Sequence, residues 1–208
     1  MAARNPPDKA NTSPPANVFS DVNDVSRLSA LAEAAFNGDG GGHEALVRVL
    51  WPNAYRIAWS ILGDRGAAED TAQAACAAVC AKLPRLSDTR AFVAWAYRII
   101  VSHARDQARA RSRLQRREAL GYDEAAVGST RDDPSVRLDL EAAISRLPES
   151  LRLPLELHYF VGLTSGEVGT ALGIPAATVR FRLMVARRRL RPLLCASTSS
   201  SATLEVPS

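Results

Sequence analysis

The run TSGEVGTALGIPAATVRFRLMVARRRLRPLL (residues 164–194) spells out a short helix, a tight turn and a longer helix. Thr164 followed by Glu167 is a capping-box pattern, in which hydroxyl and carboxylate each satisfy a backbone amide at a helix start. Gly173 stops the short helix, predicted over 165–172, and Pro175 suits the first turn of the next, predicted over 175–194. Val179, Leu183, Ala186, Leu190 and Leu193 or Leu194 recur at steps of four and three, which makes them the buried stripe of the long helix. Two helices on either side of such a turn form the helix-turn-helix plan. Thr178, Arg180, Arg182, Arg187 and Arg188 fall off the buried stripe. The first three lie near the N-terminal end, where a recognition helix meets base edges. Arg187, Arg188, Arg189 and Arg191 lie further along and suit phosphates.

Upstream of this run the same periodicity predicts helices over about 135–147 and 149–161, with Pro154 near the start of the second or kinking it. A first helical block is predicted over 24–113. Its helices cover about 24–36, 43–62, 67–83 and from Ser87-Asp88 to about 112. The run Asn37-Gly38-Asp39-Gly40-Gly41-Gly42 separates the first two, and Pro52 is a candidate kink in the second. No alternating β-branched run bounded by turns is present. The fold class expected is all-α: two small helical domains, 24–113 and 133–194, joined by a flexible linker over 114–132. Residues 1–23 and 195–208, rich in Pro, Ser, Asn and Thr, read as disordered tails.

Charge points to a polyanion. The net charge is only +4 and the sequence pI about 9.3, but the cations cluster. Arg105, Arg109, Arg111, Arg113, Arg116 and Arg117 share a run with one acid, Asp106. The run from Arg180 to Arg191 holds six arginines and no acid. Such clusters are the footprint of nucleic-acid binding. In the helix after Asp88, Arg98, Ser102, Arg105 and Arg109 form a polar stripe at steps of four, three and four, beside Phe92, Trp95, Ile99 and His103. The latter four are expected to face the core.

Other chemistries find little support. Cys76, Cys80 and Cys195 are too few for a disulfide framework. Cys76 and Cys80, one turn apart, read as small buried hydrophobes. His43, His103 and His158 are scattered, so no metal is expected. There is no nucleophile elbow and no phosphate-binding loop, and Glu69 and Asp70, adjacent on a helix, point in different directions. No enzyme activity and no cofactor are expected. The N-terminus lacks a signal-peptide core and no apolar run approaches a membrane span, which points to a cytoplasmic protein without membrane insertion.

LGDRGAAEDTAQ (residues 62–73) followed by AFVAWAYRIIVSHARDQAR (residues 91–109) resembles the polymerase-binding and promoter-melting region of extracytoplasmic-function (ECF) sigma factors. Residues 142–194 resemble their upstream-reading domain, through Leu147-Pro148, Arg152, Gly162-Leu163-Thr164, Glu167-Val168, Leu172-Gly173 and Thr178-Val179-Arg180. The resemblance implies that Glu69, Asp70 and Gln73 dock on the clamp helices of the largest polymerase subunit. It implies that Arg85, Arg90, Arg98, Ser102, Arg105, Asp106 and Arg109 engage the minus-ten element, where a flipped base is captured in a fitted pocket. Pro175, Ala176, Thr178, Arg180, Phe181, Arg182, Arg187 and Arg188 would read the minus-thirty-five element. Core RNA polymerase and promoter DNA are the partners implied, with an anti-sigma factor common in the family and no small-molecule substrate. The chain departs from the family pattern at Ala74, Cys76, Cys80, Ser102, Phe181 and the pair Met184-Val185. The alternative is a helix-turn-helix regulator that acts without polymerase docking.

Overall fold

The computed structural model describes residues 23–38, 41–119 and 136–200; side chains are described within 25–38, 41–116 and 140–192. All elements among these residues are helical. Helices α1 (Asn23–Phe36), α2 (Gly42–Leu62), α3 (Arg65–Lys82) and α4 (Phe92–Ala119) form a first unit. Helices α5 (Val136–Ser145), α6 (Glu149–Tyr159), α7 (Ser165–Leu172) and α8 (Ala176–Ser200) form a second. Two single 3₁₀ turns, Leu83–Arg85 and Thr89–Ala91, lead from α3 into α4.

The starts of these helices follow local chemistry. The Asp64 carboxylate accepts from the Ala67 amide and caps α3, and the Asp88 carboxylate accepts from the Arg90 amide ahead of α4. Three prolines lie within helices and are tolerated: α2 runs unbroken through Pro52, α6 through Pro154 and α8 through Pro192. Two helices run further than the sequence predicts. Helix α4 continues to Ala119 because LQRREA (residues 114–119) is made of strong helix formers, and α8 continues to Ser200 because no glycine or proline follows Pro192 before it.

The core of the first unit is built from Leu28, Leu46, Leu50, Ile57, Ala72, Val79, Phe92, Tyr97 and Ile100, all fully buried. On α4 the buried line is Val93, Ala96, Tyr97, Ile100 and Ala104, whereas Trp95, Ile99 and His103 are half-buried. Of the Phe92–Trp95–Ile99–His103 face expected to pack inward, Phe92 is fully buried and Trp95 and Ile99 pack against the edge of the core, while His103 is half-buried and outside it. Cys76 is buried as expected, and burial, with Cys80 nearby, pushes its thiol up to about 12. It therefore stays protonated and behaves as a small hydrophobe.

The two units share one contiguous apolar core, and the contact between them is polar at its rim. Helix α7 packs along α4, and α6 meets α2. The Arg152 guanidinium donates to the Ser60 hydroxyl and carbonyl of the first unit at 2.7 Å each, and to the Ser145 and Leu147 carbonyls of the second at 2.8 Å each. Arg56 lies 4.1 Å over the Phe160 ring and 3.8 Å from Glu141. Burial pulls the Arg56 guanidinium below its usual value, while Glu156 and Glu141 act in the opposite sense.

Candidate nucleic-acid interface

Helices α7 and α8 meet at 105°, within the range of a helix-turn-helix. Three local features set that angle. The capping box is complete: the Glu167 amide donates to the Thr164 hydroxyl, while the Thr164 amide donates to the Glu167 carboxylate. Gly173 ends α7 with φ of +69°, a left-handed conformation that a side chain would strain. At Gly169 a Cβ would sit 2.7 Å from the Ile174 carbonyl, so only glycine lets the turn fold back against α7. The Pro175 carbonyl accepts from the Val179 amide, which makes Pro175 the residue just before α8 rather than its first.

Helix α8 buries Val179, Leu183, Ala186 and Leu190, as its periodicity predicts. Arg180, Arg187, Arg188, Arg189 and Arg191 are exposed, and Arg182 and Thr178 half-buried. Pro175 is exposed and Ala176 half-buried at the helix start. Among the described residues none of the α8 arginines forms an ion pair. Phe181 is 61% exposed and Met184 52% exposed. Sequence reasoning named Phe181 and Met184 as departures from the family pattern in this helix but did not count Met184 or Ala177 among the candidate DNA contacts. Both share the face opposite the buried stripe, a signal that counting four residues on from Ala177 and three from Phe181 would have found.

The second basic surface is the polar stripe of α4. Arg98, Ser102, Asp106 and Arg109 are exposed, and Arg105 is half-buried. Arg109 donates to the Asp106 carboxylate at 3.0 Å, and the Ser102 hydroxyl lies 3.4 Å from the same carboxylate. Arg105 donates at 3.0 Å to Glu149, at the start of α6 in the other unit. The loop before α4 exposes Arg85 and Arg90, and Asp88 grips Arg90 at 3.1 Å. That ion pair lowers the Asp88 carboxyl below its usual range. Arg85, Arg90 and the α4 stripe therefore occupy one stretch of chain, in which Arg90, Arg105 and Arg109 are already oriented by acids.

A third surface lies on α3. Asp70, Gln73 and Ala74 are exposed at consecutive turns, while Glu69 is half-buried and accepts from Arg65 at 3.0 Å. Beside it Trp51, Tyr55 and Trp59 form a ladder along α2, the first two rings stacked at 5.3 Å. Burial raises the Tyr55 phenol. No cluster of three or more metal-ligating side chains occurs among the described residues, and no single described helix is long and apolar enough to cross a membrane.

Comparison with known proteins matches both halves. Residues 46–114 match Sigma-70 region 2, and residues 137–190 match Sigma-70, region 4. The chain is 34% identical over 180 residues to the ECF RNA polymerase sigma factor ShbA of Streptomyces griseus, covering 80% of this chain and 94% of that one. It is 31% identical over 166 residues to the ECF RNA polymerase sigma factor SigE of Mycolicibacterium smegmatis, covering 76% of this chain and 64% of SigE. In fold it resembles CnrH solved in complex with the cytosolic domain of CnrY, with a TM-score of 0.57 at 22% identity over 85% of this chain and 99% of that one. It also resembles the sigma factor RpoE of Bartonella quintana solved with the anti-sigma factor NepR, with a TM-score of 0.58 at 21% identity over 74% of this chain and 98% of that one. Two sigma regions in order, on two helical units with exposed basic faces, make this chain a member of the ECF RNA polymerase sigma factors of the sigma-70 family.

Proposed function

We propose that the three exposed surfaces divide the work of promoter-specific initiation among them. Asp70 and Gln73, with Glu69 beside them, dock on core RNA polymerase. Arg85, Arg90, Arg98, Ser102, Arg105, Asp106 and Arg109 engage the minus-ten element. Helix α8, led by Pro175 and Ala176 and carrying Thr178, Arg180, Phe181, Arg182, Arg187 and Arg188, reads the minus-thirty-five element as duplex. The units proposed for these roles are 24–113 and 133–194, with 114–132 as the connection between them. The chain acts as an initiation factor without catalysis of its own, in the cytoplasm where polymerase and promoter meet. An anti-sigma factor is proposed as its controlling partner, on the analogy of the RpoE–NepR complex.

One observation supports this reading most. Among the described residues no acid lies in ion-pair range of the α8 arginines, all of which but half-buried Arg182 are exposed, while α8 is fixed by its apolar stripe and α7 by a complete cap. A charged helix in that state has unspent electrostatic attraction for a phosphate backbone. The test is run-off transcription from genomic fragments by core polymerase with and without the full chain. Promoter-dependent transcripts are expected only with the chain, and Asp70→Lys should abolish them while DNA binding by α8 persists. Absence of any complex with core polymerase at low salt would rule the reading out and favour an operator-binding regulator.

A further inference from the structure

On a helix of 3.6 residues per turn, Ala177, Phe181, Met184 and Arg188 point directly away from the buried stripe of Val179, Leu183, Ala186 and Leu190. The outermost line of α8 is thus apolar over its first turns. Arg180, Arg187 and Arg191 flank that line on one side, and Arg182 and Arg189 on the other. This is the arrangement a helix needs when it lies lengthwise in a DNA major groove. The flanks meet the two phosphate backbones, and the centre line meets base edges. A solitary exposed Phe would be unremarkable, but Phe181 and Met184 are adjacent, 61% and 52% exposed, and framed by cations on both sides. The charge frame favours a polyanionic groove over an apolar protein partner.

An apolar side chain at a base edge has one good target. In the major groove the only apolar group that a base presents is the C5-methyl of thymine. We infer that Phe181 and Met184 are specificity-determining residues that select thymine methyl groups in the upstream promoter element, with Ala177 leaving room for the first of them. Direct hydrogen-bonding readout then falls to Arg188, which continues the same outward line at the C-terminal end of the apolar patch. This inference rests on the assignment of α8 to the upstream element and adds to it which base feature is read.

The test uses the full chain reassembled with core polymerase. Preferred upstream elements are first selected from a duplex library randomised upstream of a fixed minus-ten element. Each thymine in the selected site is then replaced by deoxyuridine, which keeps pairing and removes only the methyl group. Affinity is expected to fall about fourfold for each methyl read. Phe181→Ala with Met184→Ala should lose the thymine–uracil difference while the steepness of the salt dependence, set by the arginines, is retained. Phe181→Leu should restore part of the difference. Both side chains are exposed, so folding can be verified independently by thermal melting. Equal affinity for thymine and deoxyuridine sites, or a difference that survives the double substitution, overturns the inference while leaving the sigma assignment intact. Failure to bind any upstream duplex would overturn both.

Discussion

The two basic helices of this protein hold their charge differently. On α4 three of the arginines are already engaged, Arg109 with Asp106, Arg111 with Asp64 and Arg105 with Glu149 of the other unit, whereas Arg98 stands exposed with no described acid in ion-pair range. On α8 the arginines face solvent with no described acid within ion-pair range. An unpaired cluster attracts phosphate from a distance and releases counterions when it binds. A paired arginine must exchange one anion for another, which returns less free energy, but its guanidinium is held in a fixed orientation. The α8 surface suits capture of duplex DNA. The α4 surface suits positioning of a strand once it is delivered.

The largest test of this contrast is in salt dependence. Removing Arg187, Arg189 and Arg191 together by alanine should lower duplex affinity on the order of a hundredfold at low salt and flatten the log–log salt slope by about 3. Removing Arg105 and Arg109 on α4 should flatten it by less than two, since each already has an acid beside it; equal changes per arginine on both helices would break the distinction. Next in size is the joint between the units. Arg152→Ala leaves the Ser60 hydroxyl and three carbonyls without their donor. Thermal melting should show a loss of about 2–4 kcal/mol, or on the order of 10 °C; a melting point unchanged within about 1 °C would mean that Arg152 does not hold the units together. The smallest effect is expected for Glu149→Ala, which frees Arg105. Its ion pair is partly exposed, with side chains 33% and 43% accessible, so single-strand affinity of the α4 surface should rise only about twofold. A decrease would show that Glu149 positions Arg105 instead of competing for it.

What the sequence revealed followed from local signals. The helix-turn-helix could be read because Thr164, Glu167, Gly173 and the step pattern of Val179, Leu183, Ala186 and Leu190 are all short-range. The inward face of α4 was read about one line off its centre because two adjacent lines of residues fit helical spacing equally well. Large residues were taken to mark the core, yet the bundle interior accepts Ala96 and Ala104 beside Tyr97 and leaves Trp95 at its edge. The ends of α4 and α8 were set too early, for want of any glycine or proline to mark them. The joint between units was invisible: Arg152 reaches Ser60 across 92 positions of chain, and no periodicity encodes such a pairing. The unusual outer face of α8 was half legible: Phe181 and Met184 were each noticed as departures, but not as one face, because that depends on which residues stand opposite the core.

Gly169 carries a consequence beyond the turn itself. With no room for even one carbon beside the Ile174 carbonyl, the aim of α8 is pinned by a missing atom. Exchanges on the outward face therefore leave the pose of the helix unchanged. The vocabulary of this domain can drift one letter at a time, while its grammar stays put.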